Sequence, residues 1–200
     1  MYMCTEFKMA ELATMLQDLS QSGDHYHTAM TVYRRVSGRN AKMFEWVDEK
    51  LPALAESVGA TIRQDADRVG VDVLNVLSVG AGDGLVDSKI LSHLRDRTLA
   101  KIRAVIIEPD SHMMQQYQDL VSKESIKLHG VDFDWRQQTF QEYQVNAKED
   151  VKFHVIICCS SIYYCGDLKK SLNSLYGKLK SGGLLLITMM SAGICSSAQF

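Results

Sequence analysis

The sequence has no CxxC pair, no clustered block of Lys and Arg, no long apolar run and no low-complexity or repeated segment. Each absence excludes something. Five cysteines (Cys4, Cys158, Cys159, Cys165 and Cys195) have no zinc-like spacing, and their odd number and apolar surroundings suit a reducing, cytoplasmic setting better than a disulfide framework. A formal net charge of −2, from 22 basic and 24 acidic residues, leaves no electrostatic footprint for nucleic acid or an anionic membrane. The longest apolar run, Leu184–Met190, is too short to cross a bilayer, and the opening MYMCTEFKMAEL carries early acids where a signal peptide would have an apolar core. No Ser-His-Asp or Cys-His arrangement offers a nucleophile. His25 and His27 find no third ligand, so no metal site is expected. Cys158-Cys159 lies in an apolar stretch, where neutral thiols pack.

What is present is an ordinary globular composition, 46% hydrophobic and 23% charged, over a length that suits one domain, 1–200. Residues 1–70 read as helices. Met9, Leu12, Leu16 and Leu19 form one apolar stripe, and Tyr26, Ala29, Tyr33 and Val36 a second. After a break at Ser37–Asn40, Phe44, Val47 and Leu51 resume helical spacing, with Pro52 expected to kink that helix or open the next. From Val71 onward strands and helices alternate. Strands are expected at Val73–Val79, Arg103–Glu108, Val131–Trp135, Phe153–Cys159 and Leu184–Met190, and helices near Val86–Arg95, Ser111–Ser122 and Leu168–Leu179. Continuous apolar strands imply a sheet covered on both faces: a Rossmann-like, doubly wound, mostly parallel α/β fold. His154 reads as a polar-face strand residue, and Met113 and Met114 as core.

The most informative stretch is VLNVLSVGAGDGLVD, Val73–Asp87, a buried strand breaking into Gly80-Ala81-Gly82-Asp83-Gly84 and then a helix start. Glycines remove the Cβ barrier to a tight bend, so a ligand can lie against backbone N–H groups near a helix N-terminus. Glu108, at the end of the second strand, can accept hydrogen bonds from ribose hydroxyls. Lys178-Leu179-Lys180-Ser181-Gly182-Gly183 reads as a helix end with a glycine C-cap before the last strand. In doubly wound sheets ligands lie beyond the strand C-termini, where Gly80–Gly84, Glu108 and Cys159–Tyr164 all fall.

The Gly80-x-Gly82-x-Gly84 spacing, the acid ending the second strand and the LKxGG turn together resemble the class I S-adenosylmethionine-dependent methyltransferases. Dinucleotide dehydrogenases use G-x-G-x-x-G instead. LSVGAGDGLVD, the Glu108-Pro109 pair, Trp135-Arg136-Gln137-Gln138-Thr139-Phe140-Gln141-Glu142-Tyr143, Tyr163-Tyr164 and Asp48–Leu54 are similar to the histamine N-methyltransferase group of that family, from about Tyr33 to Ser191. The resemblance implies S-adenosylmethionine as cofactor. It implies that Gly80, Ala81, Gly82 and Gly84 cradle the methionine end and that Glu108 holds the ribose. Thr139 and Phe140 would then meet the adenine, and Cys159 would line the site. Ser160, Tyr163 and Tyr164 would face a small amine or imidazole-type acceptor, with Arg39 at the position of the group's amine-binding acid. A monomer acting on a small molecule is expected.

Four departures stand out. Ser78 occupies the position where many members carry an acid, Arg39 puts a cation, which would repel a protonated amine, where this group has its amine-binding acid, and Ser160 stands where this group has glutamine. The tail from Ile194, ending at Phe200, no longer resembles the group, whose members continue for two more strands. The expectation is a chain that keeps the cofactor half and has an incomplete acceptor half, the alternative being a catalytically silent binding or regulatory form.

Overall fold

A computed structural model describes residues 24–69, 73–146 and 151–189; the Met9–Leu19 stripe lies outside them. The chain divides into two compact units, Met1–Met43 and Phe44–Phe200. In the first, α1 (Asp24–Ser37) ends at Gly38, whose φ of +62° breaks the helix before α2 (Arg39–Val69) begins. From Phe44 on, α2 belongs to the second unit. There it turns a stripe of Val47, Leu51, Ala55, Val58 and Ile62 inward, all buried at i, i+4 and i+3 spacing. Pro52 does not open a new helix. It lies inside α2, which forgoes one backbone donor there and continues because the buried stripe on either side holds it.

The rest of the second unit is β1 (Val73–Val79), α3 (Leu85–Thr98), β2 (Lys101–Ile107), α4 (Ser111–Lys123), β3 (Val131–Arg136), α5 (Phe140–Asn146), β4 (Phe153–Cys159), a 3₁₀ turn (Ile162–Tyr164), α6 (Leu168–Lys178) and β5 (Leu179–Thr188). The five strands form one parallel sheet in the order β3-β2-β1-β4-β5. This is the doubly wound Rossmann-like α/β fold expected from the apolar strands. β1, β2 and β4 are buried almost throughout because helices cover both faces. Strand order reverses between β1 and β4, the switch point at which such sheets open a crevice for ligands. Among the described residues no helix is long and apolar enough to cross a membrane.

Two expectations from the sequence are corrected. Gly182-Gly183 does not cap a helix. α6 stops at Lys178 with Leu179 already extended, and the glycines lie within β5. Phe153 pairs with Leu179 and Val155 with Leu184, so β5 carries extra residues opposite β4 and bulges there. A Cβ on Gly183 would stand 2.8 Å from the His154 carbonyl oxygen, which explains glycine at the bulge by close backbone approach. His154 is not a polar-face residue: it is buried, and its Nδ1 accepts the Asn75 N–H at 2.9 Å. The ring serves as an internal acceptor between β4 and β1, which satisfies a backbone donor that burial would otherwise strand.

Candidate functional site

Each strand of the inner sheet ends in a segment that the sequence marked. Register places Val79 opposite Ile107, so the residues that follow, Gly80 and Glu108, emerge side by side. Gly80 and Ala81 donate their N–H groups to the Ile107 carbonyl at 2.8 and 3.2 Å, folding the turn over the end of β2. Gly80, Gly82 and Gly84, alternating with Ala81 and Asp83, have φ values of +66°, +60° and +74°, a left-handed conformation that L residues rarely adopt. Close packing adds a second demand at two of them. A Cβ on Gly80 would lie 2.4 Å from the Ser161 Cβ, and one on Gly84 would lie 2.0 Å from the Tyr117 ring.

Glu108 is buried, and its carboxylate is anchored by two backbone donors. Gly82 N–H reaches Oε2 at 2.7 Å and Asp110 N–H reaches Oε1 at 3.0 Å. Asp110 in turn caps α4 by accepting from Met113 N–H at 3.0 Å. The helix cap therefore fixes the segment that fixes the carboxylate, and the carboxylate holds the glycine turn. An oriented, acceptor-only group beside a Cβ-free turn suits a ligand that presents paired hydroxyls, such as a ribose.

On the other side of β1, the β4 end is bound to the turn by Ser161. Its Oγ donates to the Val79 carbonyl at 2.5 Å and lies 3.2 Å from Cys158 Sγ. Cys165 Sγ donates to the Ser161 carbonyl at 3.5 Å, and Ser171 Oγ donates to the Cys165 carbonyl at 2.8 Å. The neighbouring Cys158 thiol, and after it burial, hold the Cys165 thiol above the ordinary range. Ser161→Ala strips the buried Val79 carbonyl of this donor and is expected to cost about 1–3 kcal/mol. Urea denaturation checks this, and an unchanged midpoint would count against it.

The sequence-marked residues therefore have distinct placements. Gly80, Ala81, Gly82, Gly84 and Glu108 meet at the ends of β1 and β2. Cys159, half-buried, ends β4, and Ser160 follows with φ +56° and its N–H bonded to the Thr188 carbonyl at 2.8 Å. Tyr163 and Tyr164 form an edge-to-face pair with centroids 4.7 Å apart, and at 41% and 64% exposure both rings can meet a solute. Thr139 opens α5 as a capping box. Its N–H and Oγ1 donate to Glu142 Oε2 at 2.7 and 2.8 Å, and the Glu142 N–H donates back to Oγ1 at 3.2 Å. Those bonds hold the Glu142 carboxyl below its usual range. Phe140 is buried in a core cluster with Val79, Ile107, Tyr143 and Ile162. Arg39 starts α2 in the first unit, half-buried.

Sequence reasoning missed Ser161, whose hydroxyl ties β4 to β1, and Asp87. Asp87 is buried in the first turn of α3 and accepts a hydrogen bond from Ser78 Oγ. Ser78, which stands where many members of the family carry an acid, is thus bonded to an acid from across the turn. A signal was present: Asp87, three residues past the last glycine, falls in the first turn of the helix that follows, where an acid is favoured.

A family model described as a methyltransferase domain matches residues 77–185. Histamine N-methyltransferase of Rattus norvegicus is 25% identical over 185 residues, 90% of this chain and 59% of that protein. Carnosine N-methyltransferase 2 of Gallus gallus is 27% identical over 186 residues, 91% of this chain and 55% of that protein. This chain thus spans about three fifths of the length of the curated relatives it matches. Among solved structures, an S-adenosylmethionine-dependent methyltransferase from Clostridium acetobutylicum has the same fold at a TM-score of 0.50 and 16% identity, covering 86% of this chain and 60% of that one.

Proposed function

This chain belongs to the methyltransferase-domain family, and we propose that it binds S-adenosylmethionine and transfers a methyl group to a nitrogen of a small amine or imidazole-type acceptor. The observation that carries the reading is the Glu108 carboxylate, held by the N–H groups of Gly82 and Asp110 beside three left-handed glycines. Glu108 would receive the ribose hydroxyls. The turn at Gly80, Ala81, Gly82 and Gly84 would pass under the methionine end, where a side chain would obstruct it. Thr139 and Phe140, at the start of α5, would meet the adenine edge, and Cys159 would line the wall after β4.

When bound, the cofactor supplies an electrophilic methyl on a sulfonium. The protein's part is alignment and exclusion of water, since an in-line displacement needs no side-chain nucleophile. The exposed edge-to-face pair Tyr163–Tyr164, with Ser160, forms the acceptor side. Aromatic faces attract a cationic or electron-poor nitrogen compound and shed water. The named substrates of the relatives, histamine and carnosine, both carry an imidazole, which supports that acceptor class at 25–27% identity.

Titration calorimetry with S-adenosylmethionine and radiolabelled methyl transfer over a panel of amines and imidazoles test the reading together. Binding with turnover on an imidazole acceptor is the expected result. Binding with no turnover on any acceptor identifies a silent cofactor-binding form, and no binding by a folded sample overturns the cofactor assignment.

A further inference from the structure

The polar contacts behind the glycine turn centre on Asp87. It is buried in the first turn of α3, and Ser78 Oγ, one residue before the end of β1, donates to its Oδ2. Ser78 and Asp87 flank the turn in sequence, so this bond joins the turn's two ends. Among the described residues, the titratable groups facing Asp87 come from four further segments and all are acids. Asp83 is in the turn, Glu108 follows β2, Tyr117 is on α4 and Cys158 is on β4. The Tyr117 hydroxyl is buried with no hydrogen-bond partner among the described residues, and its ring fills the space beside Gly84. Burial pushes the Asp87 carboxyl up, against the pull of Ser78, and the charges of Asp83 and Glu108 push it further, to about 7. Near neutral pH the cluster is therefore poised between binding a proton and accepting another cation.

We propose that Asp87 is a positioning residue that lets the Gly80–Gly84 turn discriminate by charge between the methyl donor and its demethylated product. This rests on the S-adenosylmethionine reading above. The two ligands share the adenosine and the amino-acid end and differ in one charge: the donor carries a sulfonium, the product a neutral thioether. Ionised Asp87 attracts that extra positive charge, and protonated Asp87 does not. The sign follows from linkage. A ligand that prefers the ionised carboxyl binds more tightly as pH rises through the carboxyl's range, then levels off. The ratio of product Kd to donor Kd therefore rises with pH across about 7, so product is released more readily once its methyl is gone.

The test is calorimetric titration of the full chain with S-adenosylmethionine and with S-adenosylhomocysteine from pH 5.5 to 8.5, as about those limits bracket the carboxyl. In the wild-type protein the Kd ratio is expected to rise about fivefold. Asp87→Asn keeps an oxygen for Ser78 and should flatten the rise. Ser78→Ala removes the bond that favours the ionised carboxyl and should move the midpoint of the rise to higher pH. In buffers of different ionisation enthalpy, donor binding at pH 7 should release roughly a third of a proton more than product binding. A flat wild-type ratio, or an undiminished rise in Asp87→Asn, overturns the proposal while leaving the cofactor site standing. If neither ligand binds, the cofactor reading fails and this inference fails with it. Should Asp87→Asn not fold, the Ser78→Ala midpoint decides: unmoved, it overturns the role of Asp87.

Discussion

Replacing Gly84 with alanine is expected to destabilise the protein by about 2–5 kcal/mol, enough to unfold much of a marginally stable population. Two separate costs add. Gly84 caps α3 at φ +74°, where a Cβ brings backbone strain of about 1–3 kcal/mol. That Cβ would also enter the Tyr117 ring at 2.0 Å, and the ring cannot retreat. It is fully buried, edge-to-face with Phe133 at 6.1 Å and Trp135 at 5.2 Å. Gly130→Ala is the internal control, since Gly130 has φ +84° and nothing within 4 Å of its missing Cβ. Urea midpoints of the two variants separate strain from clash. If Gly84→Ala costs no more than Gly130→Ala, the close packing of α4 under the turn is not a constraint on this glycine.

Glu108→Ala is expected to weaken S-adenosylmethionine binding by about 3 kcal/mol, roughly a hundredfold, while the chain stays folded. The variant removes the acceptor proposed for the ribose and also leaves the N–H groups of Gly82 and Asp110 without the carboxylate that aligns them. Turn and ligand contact are thus lost together. Glu108→Gln retains the shape but places an amide NH₂ beside one of those N–H donors, so its loss should be intermediate. Calorimetric Kd values, with circular dichroism to establish folding, check the order. Wild-type affinity in a folded Glu108→Ala protein would remove the carboxylate from the site.

The strands were legible because burial on both faces leaves an apolar run that no surface element shows. β1 and β4 span the residues read from the sequence, and β2 and β3 differ by a residue or two at their ends. The turn was legible because alternating glycines between a strand and a helix have few other uses. Less visible was anything that depends on a partner remote in sequence. Gly182-Gly183 fits a C-cap as well as a bulge until β4 is seen beside it, and His154 is polar in composition but internal once Asn75 offers it an N–H. Pro52 marks a helix boundary in isolation and is carried within α2 because the buried stripe on either side continues.

By itself the sequence determined the parallel α/β architecture, the glycine turn and the acid at the end of β2, since each is written in local periodicity and residue type. Tertiary structure alone decided how those pieces act on one another. The strand order β3-β2-β1-β4-β5 brings residues 26 positions apart into the Gly82–Glu108 hydrogen bond and residues 82 apart into the Val79–Ser161 bond. It also buries Asp87 against Ser78 amid other acids, which moves its proton affinity toward neutrality. Desolvation and the field of neighbouring charges are properties of the packed surroundings, and no local pattern in the chain encodes them.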